Sequence, residues 1–170
     1  HGDTDTDSHK NLPIINHSKT RIDTLELYPF KYLINRNLTG MMVAHLYIPK
    51  LDNTKNQAST LSPKIVQDLL INELGFKGLI FTDALNMQGV AKFYKPGEIE
   101  IKAIQAGNDV LLFPQDVALA IESIKLAIKK GKITEKMIEQ RCKKILAAKK
   151  WMGLDTHNPN LNLCKCYRLL

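Results

Sequence analysis

Gly75-Phe76-Lys77-Gly78-Leu79-Ile80-Phe81-Thr82-Asp83 decides how this chain folds. Leu79-Ile80-Phe81 is a short, unbroken apolar run, opened by glycine and closed by a carboxylate. Such a run predicts a strand buried on both faces, the habit of parallel sheets. Gly40-Met41-Met42-Val43-Ala44, which stops at His45, is a second such run. Asp109-Val110-Leu111-Leu112-Phe113, which stops at Pro114, is a third.

Helix signals separate these runs. Ser62 can cap a helix with Pro63 at its first position. Its apolar stripe is Ile65, Val66, Leu69, Leu70 and Leu74, and Gly75 stops it. Glu98 to Ala106 repeats the pattern, with Gly107 as the stop. Asp116 can cap a helix ending at Gly131, and Thr134 one ending before Gly153. Pro29 suits the first turn of an earlier helix reaching Arg36. The order is loop, helix, strand, helix, strand, helix, strand, helix, helix, and right-handed crossovers follow from it. Three strands cannot close into a barrel. A full (β/α)8 barrel needs about 250 residues, and this chain has 170. Two α/β architectures fit: a small open sheet, or the later part of a barrel whose first part is absent.

Composition narrows the function classes. The apolar share of 44% is that of a globular protein. No apolar run reaches the roughly 18 residues of a membrane span, so none is expected. The chain opens on His1 rather than methionine and reads as a piece of something longer. A net charge of +7 raises nucleic acid as a partner. The basic residues speak against it. Lys129, Lys130, Lys132, Lys143, Lys144, Lys149 and Lys150 lie in helical segments and read as a solvated face, with no interleaved aromatics. Cys142 sits in a helical pattern. Cys164-Lys165-Cys166 has no other ligand cluster nearby and is weak evidence for zinc. Residues 155–170 lose the amphipathic period and read as a tail or the start of a linker.

In parallel α/β folds, ligands meet the carboxyl ends of the strands. His45, Asp83 and Pro114 fall there. Asp83 could act as a nucleophile, or it could cap a turn at Ala84-Leu85-Asn86-Met87. Asp7 and His9 share a face if the segment is extended. A carboxylate beside an imidazole favours its protonated form and could serve a general acid. In isolation, Asp7-Ser8-His9 reads first as a solvated acidic turn. Asp3, Asp5 and Asp7 mimic the start of a calcium loop. Ser8 stands where its glycine belongs, however, and Ile14 where its glutamate belongs, so no metal is expected. The glycines form no phosphate loop, and Ser8, Ser18, Ser59 and Ser62 lack a nucleophile elbow.

Taken together, these stretches resemble glycoside hydrolase family 3. The segment His1-Gly2-Asp3-Thr4-Asp5-Thr6-Asp7-Ser8-His9-Lys10-Asn11-Leu12-Pro13 resembles its acid/base loop, most closely in the bacterial β-N-acetylhexosaminidase branch. Met41-Met42-Val43-Ala44-His45 resembles the next barrel strand, and Gly75 to Met87 the nucleophile strand. Ala106-Gly107-Asn108-Asp109-Val110-Leu111-Leu112 resembles the strand after it. The resemblance covers residues 1–154. It implies a partial (β/α)8 TIM barrel, namely the last three strands and their helices, followed by the 155–170 tail. It implies a retaining β-N-acetylglucosaminidase acting on cell-wall or chitin-type amino sugars, with a β-glucosidase-type hydrolase or an inactive fragment as the alternatives. Asp83 matches the nucleophile, His9 the acid/base and Asp7 its paired carboxylate. His1, His45 and Met87 are expected to touch substrate. No cofactor is expected. The expected partners are a carbohydrate substrate, the absent upstream half of the barrel and a fused downstream domain. Ala84 stands where many relatives carry a second Asp, which fits a subgroup with such a fusion. The family's upstream sugar-binding residues have no matching positions here. The compartment stays open between cytoplasm and periplasm or exterior.

Overall fold

The computed structural model describes residues 2–8 and 10–154. His1, His9 and the tail with Cys164 and Cys166 lie outside the described residues. Each apolar run forms a strand: β1 (Gly40–Val43), β2 (Leu79–Ala84) and β3 (Val110–Leu112). They make a parallel sheet in the order β1-β2-β3. Gly40 pairs with Leu79 and Val43 with Thr82. The pairing of β2 with β3 slips between Phe81 and Ala84. There the Thr82 hydroxyl accepts the Leu112 amide at 2.9 Å, replacing a lost ladder bond.

The described α-helices are α1 (Lys19–Arg21), α2 (Tyr28–Ile34), α3 (Gln88–Ala91), α4 (Glu98–Ala106), α5 (Val117–Lys129) and α6 (Glu135–Trp151). Their ends follow the local chemistry. Asp116 accepts the Leu119 amide and Thr134 the Met137 amide, as N-caps do. Gly107 closes α4 at φ 119°, a left-handed conformation that a side chain would strain. The helix expected after Ser62 is Lys64–Glu73, and Ser62 Oγ accepts the Ile65 amide at 3.3 Å. Its turns are wider than expected: Leu74 N–H reaches back five residues to Leu69 O at 2.9 Å.

One expectation is corrected. The strands are not buried on both faces. Side chains alternate along a strand, and Met41, Val43 and Ile80 pack with Val66, Leu70, Phe76 and Ala106 on the helix side. Met42, whose register partner is Phe81, points the other way and is 54% exposed. The described helices cover one face of the sheet, so an apolar run meant for two buried faces finds only one of them covered.

Candidate active site

β2 carries Asp83 to the carboxyl end of the sheet. Ile80 and Thr82 are buried, so alternation turns the half-buried Asp83 toward the open face. Its Oδ1 accepts the Ala84 amide at 2.8 Å. The turn over residues 84–87 forms, and Asp83 accepts its first amide; α3 starts only at Gln88, with Met87 in the cap position.

Ala84 is held at both ends. Its carbonyl accepts the Met87 amide at 3.1 Å and a bond from His45 Nε2 at 3.0 Å. A carbonyl only accepts, so His45 Nε2 carries the proton. The ring's Nδ1 lies 2.8 Å from the Thr60 hydroxyl. His45 is fully buried. Burial pushes its pKa below the ordinary histidine value, against the opposing pulls of the Ala84 carbonyl and the Asp83 charge. Thr60 sits in a tight turn, Ser59–Leu61, that folds back over the end of β1. The Ser59 hydroxyl donates to the Ala44 carbonyl and accepts the Leu46 amide.

A loop from the start of the chain approaches the same end of the sheet. Asp3 pairs with Arg21, whose Nε donates to Glu26 at 3.1 Å. Asp7 is exposed and forms an ion pair with Lys10 at 3.5 Å. Its carbonyl accepts the Lys10 and Asn11 amides, so the chain turns after Asp7 instead of running extended. Beyond the turn, Ile15 N–H donates to Tyr47 O at 2.9 Å, and Tyr47 N–H to Pro13 O at 2.8 Å. The loop then rests on α3. A Cβ at Gly89 would stand 2.6 Å from Ser8 O and 2.8 Å from Asn11 O. Lys92 Nζ donates to Asn11 Oδ1 at 2.8 Å.

The structure therefore gathers Asp83, His45 and Met87 around Ala84, and docks the Asp7 loop against the helix that follows. His45 is enclosed rather than open to the sheet face, and the partly exposed Met87 braces Ala84 through its backbone. Pro114 follows Phe113, an exposed residue at the unusual φ of 43°. Sequence reading missed Thr60 and Gly89. Gly89 carried only a weak signal, since glycine is costly in a helical stretch and its lack of a side chain permits a close backbone approach.

Residues 1–148 match the family model described as the glycosyl hydrolase family 3 N terminal domain. A β-hexosaminidase A of Pseudoalteromonas piscicida is 39% identical over 67% of this chain and 21% of its own length. A β-hexosaminidase of Idiomarina loihiensis is 31% identical over 91% of this chain and 45% of its own length. The solved structure of a glycoside hydrolase family 3 β-N-acetylglucosaminidase from Paenibacillus sp. str. FPU-7 superposes with a TM-score of 0.87 at 35% identity. That match covers 93% of this chain and 30% of the Paenibacillus chain. The chain thus spans less than half the length of each of these relatives.

Proposed function

The chain belongs to glycosyl hydrolase family 3, and from that premise we propose that it supplies the catalytic end of a retaining β-N-acetylhexosaminidase. In this reading β1, β2 and β3 are the last three strands of a (β/α)8 barrel, and an upstream half closes it. Three supports stand behind it: the parallel order of the strands, the superposition on the Paenibacillus enzyme, and the short span relative to the relatives. Residues 1–154 form the barrel part, and 155–170 begin a linker or tail.

The reaction is a double displacement. An Asp83 oxygen attacks the anomeric carbon while the leaving-group oxygen takes a proton from His9, which Asp7 orients. The bond to the leaving group breaks, and a glycosyl ester forms on Asp83. His9 then takes a proton from water, which displaces Asp83 and restores the original configuration. The substrate in this reading is an amino sugar of cell-wall or chitin type; the names of the relatives support the amino sugar.

One observation carries this reading. The loop after Asp7 packs closely on α3 at Gly89, six residues along the chain from Asp83, which supports a shared site. In the full-length protein, Asp83→Ala is expected to lower turnover of an aryl N-acetylglucosaminide by about 10⁴-fold or more, as loss of a covalent nucleophile does. Wild-type turnover in that variant would sink the assignment.

A further inference from the structure

We propose that His45 is a positioning residue for the nucleophile: its Nε2–H pins the Ala84 carbonyl, and the Ala84 amide in turn holds the Asp83 carboxylate. The inference rests on the reading of Asp83 given above. It goes beyond the expectation that His45 touches substrate.

The contacts form a continuous relay. The Thr60 hydroxyl lies 2.8 Å from His45 Nδ1, and His45 Nε2 lies 3.0 Å from Ala84 O. On the other side of the same residue, Ala84 N–H reaches Asp83 Oδ1 at 2.8 Å. Asn108 fixes Thr60 in turn, donating from Nδ2 to the Thr60 carbonyl at 2.8 Å. His45, Thr60 and Asn108 are all fully buried, so solvent does not compete for these bonds. Ala84 sits just where the β2–β3 register slips, so the ladder holds this part of β2 less regularly than the rest. A side-chain donor from β1's end makes up for that. Burial keeps the ring neutral, and a neutral Nε2–H tautomer is the form that donates to a carbonyl. A carboxylate nucleophile needs its reacting oxygen aimed, and small misplacements of such groups cost about 10²-fold in rate.

The test compares His45→Gln with His45→Asn in the full-length protein. Glutamine can place a donor near the Nε2 position, whereas asparagine stops near Nδ1 and does not reach Ala84. For an aryl N-acetylglucosaminide, His45→Asn is expected to lower kcat about 10²-fold with KM within about twofold. His45→Gln is expected to recover most of that loss. Equal kcat for the two variants, or a change confined to KM, would overturn the proposal. If His45→Asn does not fold, Thr60→Val carries the test. It should lower kcat about tenfold at unchanged KM, and wild-type kcat there would overturn the proposal. Asp83→Ala measured alongside separates the two ideas. Full activity in that variant defeats the nucleophile reading itself, while an inactive Asp83→Ala with an unimpaired His45→Asn defeats only the role of His45.

Discussion

At the residue scale, the charge state of His45 links the site to stability. In the unfolded chain an imidazole takes up a proton near pH 6.5, about the ordinary value. In the folded protein burial lowers that pKa. Below pH 6.5 the unfolded state therefore binds more protons, and the folded state loses ground as pH falls. The contribution is complete above the unfolded value and declines through the window beneath it. Denaturant midpoints of the protein should fall as the pH is lowered from 7.5 to 5.5. His45→Gln should lack that part of the slope. Parallel pH profiles for the two proteins would contradict a buried neutral ring.

At the element scale, α3 matters more than its length suggests. Gly89 lets the Asp7 loop lie directly on it, and a methyl group there would meet the Ser8 carbonyl at 2.6 Å. Backbone cannot yield as a flexible side chain can, so the loop must shift. Gly89→Ala is expected to reduce kcat by about tenfold or more while global stability falls by only about 1–3 kcal/mol, the range for overpacking. Unchanged kcat with an equally stable fold would show that the loop's seat is not part of the machinery. Much at this scale was legible in the sequence. Leu79-Ile80-Phe81, the cap at Asp116 and the stop at Gly107 are local signals, and each formed the expected element, though the strand has only one covered face. The turn at Asp7 was legible as an acidic, solvated one; its backbone bonds from Lys10 and Asn11 were not, because no side-chain pattern announces them. Nor was the partnership of Thr60 with His45, since it joins positions that come together only when Ser59–Leu61 folds over β1. The wide turns of Lys64–Glu73 escaped notice for a related reason: the apolar stripe there suits an ordinary helix equally well.

At the scale of the whole molecule, the sheet presents one covered face and one open one. Met42 is 54% exposed and Phe113 69% exposed, and the outer sides of β1 and β3 have no strand beside them in the described sheet. Open edges and apolar faces invite pairing. The 170-residue chain alone is expected to elute above its monomer size and to lack turnover; a monomeric, active chain would argue against the barrel-half reading. Binding runs inward from the opposite side as well. Arg141 on α6 donates to the Asn108 carbonyl at 2.7 Å, and Asn108 holds Thr60. The end of β1 has a consequence of its own. Two residues apart, His45 grips the strand that carries Asp83, and Tyr47 grips the segment that carries Asp7. Both halves of the site hang from one short stretch of chain, as two jaws share a pivot.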